Sequence, residues 1–103
     1  MSYRVKAALL LPGWDQCSIW GLDPAADSYY AQLYANGEPN HPRHWINRVD
    51  LREPIVGPLH LAELIHELIP TATLAQIAEA MLKPHLPEYE TKILQRLLVA
   101  APE

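Results

Sequence analysis

His60, Glu63 and His66 are the side chains whose types and spacing best suit a metal ion. They lie within one predicted helix, and imidazole and carboxylate groups three or four residues apart are how helices supply metal ligands. A functional site needs three or four converging ligands, so the loop histidines His41 and His44 would have to fold back to complete it. The alternative is a solvated polar face opposite the apolar stripe of this helix.

Cys17, the single cysteine, is a candidate nucleophile, and a histidine could act as its base. We expect the thiol on the core face of a β-hairpin, opposite Leu33, where burial raises its pKa and keeps it protonated. The sequence also lacks a Gly-x-Ser-x-Gly elbow, a phosphate-binding loop, a dinucleotide fingerprint, a His-Glu-x-x-His motif and a Cys-x-x-Cys pair. These features favour a protein that is not an enzyme, and we predict no cofactor.

A segment in the second half of the chain, Thr73-Leu74-Ala75-Gln76-Ile77-Ala78-Glu79-Ala80, resembles the first helix of a helix-turn-helix unit. In that family a glycine-containing turn and a basic recognition helix follow. Here the next helix begins Glu88-Tyr89-Glu90, which would set carboxylates against phosphates. A DNA-associated regulator would therefore need a basic face assembled from Arg43, Arg48, Arg52, Lys83, Lys92 and Arg96.

The elements that position these residues change character near the middle of the chain. Seven of the eight aromatic residues precede residue 46, and aromatic residues in alternation favour strands. Alternation predicts a first strand at about residues 3–10, with one face made of Tyr3, Val5, Ala7 and Leu9. The segment His44-Trp45-Ile46-Asn47 is able to add a short fourth strand.

A β-hairpin is predicted at about residues 15–35, turning at Asp23-Pro24-Ala25-Ala26-Asp27. With Leu22 opposite Ser28, the core face of the hairpin carries Cys17, Ile19, Gly21, Tyr29, Ala31 and Leu33. A slip by one residue would bury Gln16, Ser18 and Gln32, whose unpaired polar groups would cost a few kcal/mol.

The other face of this hairpin is the strongest candidate for a binding surface. It gathers Trp20, Tyr30 and Tyr34 with Gln32, and large aromatic side chains with polar tips are typical interface anchors. We expect a non-enzymatic interaction or accessory domain that binds another protein or a second copy of itself. The alternative is that the loop at 48–57 or the first strand covers these rings as a second, minor core.

Three amphipathic helices are predicted after residue 57, because apolar residues recur at spacings of three and four. Their bounds are set by prolines, which are Pro58, Pro70, Pro84 and Pro87. Thr73 with Gln76 is a capping-box pattern at the start of the second helix. These helices must bury their apolar stripes, and the apolar face of the hairpin is the available surface.

The fold class that follows is α+β, with a small antiparallel sheet packed against three C-terminal helices. We predict a single domain over residues 1–103, strand-rich at 1–47, a loop at 48–57 and helical at 58–99. The formal net charge of -4 disfavours nucleic acid and anionic membranes as partners. The longest apolar run is too short to span a bilayer, and a lone cysteine without a secretory signal pattern predicts a cytoplasmic location.

Overall fold

The described part of the chain forms a four-stranded antiparallel sheet and four helices. A computed structural model describes residues 5–84 and 86–100. In chain order the elements are β1 (Val5–Ala8), β2 (Ile19–Asp23), β3 (Ser28–Leu33), β4 (His44–Ile46), α1 (Arg48–Leu51), α2 (Pro58–Leu68), α3 (Leu74–Leu82) and α4 (Glu88–Ala100). The strands lie in the order β1-β2-β3-β4. The predicted α+β class, the fourth strand and the three C-terminal helices are confirmed.

The hairpin of β2 and β3 turns where the sequence predicts. The Asp23 carboxylate accepts the Ala25 N–H at 3.0 Å, and the Asp27 N–H donates to the Pro24 carbonyl at 3.3 Å. Asp27 has a φ of 52°, a left-handed conformation that Asp tolerates better than most residues. Local turn chemistry therefore determines the position of this turn.

The pairing of β2 with β3 is one residue out of the predicted register. Trp20 lies opposite Ala31 and Gly21 lies opposite Tyr30. β3 keeps its predicted core face, whereas β2 turns its other face inward, so that Trp20 is 0% exposed. The prediction that Trp20 shares the outer face with Tyr30 is therefore wrong.

The indole of Trp20 explains this register. A tryptophan side chain buries about 150–250 Å² of surface. The predicted register would leave this ring outside and place Ile19 and Gly21, which has no side chain, inside. The predicted penalty does not arise, because Ser18 is buried with its hydroxyl accepting the Tyr34 N–H at 2.9 Å. Gln16 is exposed and Gln32 stays on the outer face.

One hydrophobic core lies between the sheet and the helices. α2 packs on β3 and β4, and α3 and α4 pack on α2 and on each other. The largest side chains buried there include Trp20, Leu33, Leu61, Ile65, Ile77, Met81 and Leu94. In the first strand Ala7 is buried and is followed by the buried Leu9, as predicted, while Tyr3 lies outside the described residues.

The helix boundaries follow local signals. α2 begins at Pro58 and ends two residues before Pro70. α3 begins with the predicted capping box, in which Thr73 Oγ1 accepts the Gln76 N–H at 3.1 Å and Gln76 Oε1 accepts the Thr73 N–H at 2.9 Å. None of the helices in the described ranges has the length and apolar content that crossing a membrane requires.

The segment predicted as a loop at 48–57 contains the short helix α1, which corrects that prediction. Asn47 caps it by accepting the Asp50 N–H at 2.9 Å, and Arg52 ends it with a φ of 62°. None of its four residues is buried. A single turn is too short to show a helical period in the sequence.

Candidate functional site

A cavity of about 390 Å³ opens on the face of the sheet that points away from α2, α3 and α4. Alternation along the strands brings Lys6, Tyr30, Gln32 and Trp45 to this outer face. All four line the cavity, together with residues of the hairpin turn and of α1. Its size lies within the range of about 300–1,000 Å³ that is usual for binding pockets.

The concave shape has two structural causes. Gly21 lies between Lys6 and Tyr30 in adjacent strands and brings no side chain of its own to the middle of the outer face. On one side α1 forms a wall, and Arg48 fixes it by donating from Nη1 to the Ala26 carbonyl at 2.6 Å. Within the described residues, α1 therefore borders one side of the outer cavity.

Three of the four residues predicted for the interaction surface lie on this face. Tyr30 and Gln32 line the cavity, and the Tyr34 hydroxyl donates to Gln32 Oε1 at 3.0 Å. Trp20 is the exception, because its ring lies in the core and stacks on Tyr29 with the ring centroids 6.4 Å apart.

Trp45 also lies on the outer face, although it is not among the surface residues predicted from the sequence. Its side chain is 56% exposed, and it lies opposite Gln32 in the pairing of β4 with β3. Alternation within His44-Trp45-Ile46 carries the signal, because a buried Ile46 requires Trp45 to point outward. On α1, Val49 is 81% exposed and adds a second apolar group to the cavity wall.

The predicted metal ligands do not form a cluster. The His66 ring is already hydrogen-bonded within the protein. Its Nδ1 donates to the Ala72 carbonyl at 2.7 Å, which links α2 to the segment before α3. The His44 ring packs against Trp14 with the centroids 5.6 Å apart. Across residues 5–84 and 86–100, no three His, Cys, Asp or Glu side chains come together in a way that could hold a metal ion.

Two of the six basic residues considered for DNA form ion pairs with carboxylates. Arg43 pairs with Glu38 at 3.1 Å, and Lys92 pairs with Glu88 at 2.7 Å along α4. The first turn of α4 is acidic, and one of its carboxylates, Glu90, is buried in the core. This end of the helix therefore offers little to a phosphate backbone.

Cys17 is half-buried in a turn before β2, and the observed pairing begins with Ile19 opposite Gln32, so Cys17 is not paired with Leu33 as predicted. Its backbone N–H donates to Asp15 Oδ1 at 3.0 Å. Burial raises the pKa of the Cys17 thiol, and the nearby Asp15 carboxylate raises it further. In turn, the amide of Cys17 lowers the pKa of Asp15. The thiol is thus a poor nucleophile at neutral pH, as predicted. The prediction gave burial opposite Leu33 as the cause, whereas the causes in the structure are partial burial in the turn and the nearby Asp15 carboxylate.

We expect Asp15→Asn to increase the rate at which Cys17 reacts with a thiol reagent. The substitution removes the negative charge that disfavours the thiolate, while the amide oxygen can still accept the Cys17 N–H. The measurement is the rate of reaction with iodoacetamide between pH 7 and 10, with the urea-unfolded protein as reference. We expect the wild type to be slowest and the variant to lie between it and the unfolded chain. A wild type that reacts faster than its unfolded form would contradict the raised pKa.

Comparison of the chain with protein-family models, curated protein sequences and solved structures finds no match in any of the three. The geometry of the outer face is therefore the basis for assigning a function.

Proposed function

We propose that this chain is a small non-enzymatic interaction domain that docks a protein partner on the outer face of its sheet. The observation that carries the proposal is the exposed indole of Trp45, which lines the outer cavity together with Tyr30. Aromatic rings with a polar tip, seated in a pocket, are enriched among residues that contribute most to binding.

The surroundings of Trp45 support the same proposal. Val49, also exposed, adds a second apolar side chain to the same cavity lining as Trp45. Gln32, already held by the Tyr34 hydroxyl, offers an amide to a partner's backbone. This combination of apolar centre and polar neighbours is the composition expected of an interface core and its rim. A cytoplasmic setting stays our prediction, since the lone cysteine offers no internal disulfide.

The test is site-specific photo-crosslinking in the cells that naturally contain the protein. A benzophenone amino acid in place of Trp45 is expected to yield a discrete adduct. Binding of the purified partner should then weaken by about thirtyfold or more in Trp45→Ala, because a central tryptophan contributes at least about 2 kcal/mol. The measurement is titration calorimetry with the purified partner.

Tyr89 provides the matched control, because it is an aromatic residue of similar exposure, 54%, that does not line the outer cavity. The same crosslinker at position 89 should give no adduct, and Tyr89→Ala should leave affinity within about twofold. Sedimentation velocity over a range of concentrations identifies the case in which the partner is a second copy. Equal adducts at both positions, or none at position 45, would remove the support for the proposal.

A further inference from the structure

We infer that the partner places an acidic segment in the outer cavity, with an apolar or aromatic side chain beside the carboxylate. This inference rests on the proposed function and specifies the chemistry of the partner. It rests on the charged and aromatic side chains that line the cavity, where cations outnumber carboxylates, unlike in the chain as a whole.

The charge of the cavity is opposite in sign to that of the whole molecule. Among the described residues, Lys6 and Arg48 line it, against the single carboxylate of Asp23. The complete chain has eight Lys and Arg against twelve Asp and Glu. Since clefts concentrate the field of the charges that line them, this local excess of cations favours an anionic occupant.

Both cations retain donors for that occupant. Within the described residues, neither Lys6 nor Arg48 forms an ion pair. The Arg48 guanidinium donates to the Ala26 carbonyl, and a guanidinium has five N–H donors in all. Asp23 is a weaker competitor, because one of its carboxylate oxygens already accepts the Ala25 N–H.

The apolar part of the cavity favours a partner that brings an apolar side chain as well as a negative charge. Trp45 and Val49 form exposed apolar surface on one side, and Tyr30 lies on the cavity floor. A carboxylate alone would leave Trp45 and Val49 in water, whereas a neighbouring ring or branched side chain would cover them. Docking of this face on a second copy is disfavoured, since the described lining of each copy would bring two cations and one anion.

The test uses polypeptides of defined charge as probes for the isotope-labelled full chain. A random copolymer of glutamate and tyrosine is compared with polyglutamate and with a copolymer of lysine and tyrosine. The readout is the NMR shift of the Trp45 indole N–H, assigned with Trp45→Phe. We expect the glutamate and tyrosine copolymer to bind best, and its affinity to fall at least tenfold between 50 and about 500 mM salt as the charges are screened.

Lys6→Glu is expected to weaken this binding at least tenfold, and Lys6→Gln by a smaller factor. The control is Arg96→Glu, which removes an exposed cation of α4 that does not line the outer cavity. It should change the affinity less than twofold. Thermal unfolding of each variant checks that the fold is retained, and Lys6→Gln serves where Lys6→Glu is unstable.

Two results of the binding measurements would overturn the inference. One is equal binding of the lysine and tyrosine copolymer; the other is a partner crosslinked at position 45 whose affinity is insensitive to salt and to Lys6→Glu. In the second case the interaction domain stands and only the acidic chemistry fails. Concentration-dependent self-association abolished by Trp45→Ala would also overturn it, in favour of a second copy. If no adduct forms at position 45, the proposed function itself fails.

Discussion

Trp20→Ala is expected to lower the free energy of unfolding by about 3–5 kcal/mol, the usual loss when a large buried aromatic side chain is removed. Trp20 is 0% exposed and stacks on Tyr29 at the centre of the core face of the sheet. Truncation would leave a cavity between β2 and the helices. Urea denaturation followed by circular dichroism measures the effect.

Trp45→Ala is the control for that prediction, because it removes the same side chain from the outer face. It should change stability by less than about 1 kcal/mol, as surface substitutions usually do. Trp20→Phe should be milder than Trp20→Ala. It keeps a ring in the core and removes the indole N–H, which has no hydrogen-bond partner within the described residues. Equal losses at positions 20 and 45 would contradict the observed register of the hairpin.

Tyr29→Phe is expected to lower stability by about 1–3 kcal/mol, because a buried polar group then loses a hydrogen bond. The Tyr29 hydroxyl donates to Glu90 Oε2 at 2.5 Å, and both residues are buried. This bond connects the central strand β3 with the first turn of α4. Thermal and urea unfolding of the variant measure its contribution.

Two variants make this second prediction specific. Tyr34→Phe removes a hydroxyl that bonds Gln32 in a half-buried position, and its effect should stay below about 1 kcal/mol. Glu90→Gln keeps a carbonyl oxygen that can accept the Tyr29 hydroxyl, so it should be less harmful than Glu90→Ala. If Tyr29→Phe is as stable as the wild type, the bond does not hold α4 to the sheet.

The parts of the fold that could be predicted are those set by neighbouring residues. The turn at Asp23 to Asp27 and the capping box of Thr73 and Gln76 depend on side chains that bond their own backbone within three residues. Proline positions likewise mark where α2 begins and where it ends.

The register could not be predicted, because it depends on a partner sixteen residues away. From the sequence alone, burying Ser18 is unfavourable because its hydroxyl would lose its hydrogen bonds to water. In the structure the Tyr34 N–H donates to this hydroxyl and offsets that loss. That bond frees Trp20 to enter the core. The candidate surface keeps Tyr30, Gln32 and Tyr34 because β3 has its predicted orientation. Trp45, rather than Trp20, supplies the tryptophan of this surface. Its strand β4 has only three residues, which is too short for alternation in the sequence to predict which face Trp45 occupies.

The two sides of the outer cavity differ in how firmly they are built. Its floor is the backbone of a hydrogen-bonded sheet whose reverse side faces the core. The wall made by α1 buries no side chain, and it is attached through Arg48 and the Asn47 cap. Segments with so few buried contacts open at much lower free energy than the global fold. The cavity therefore combines a stiff base with a compliant flank, and its width can adjust to occupants of different shape while the packing of β2 and β3 stays intact.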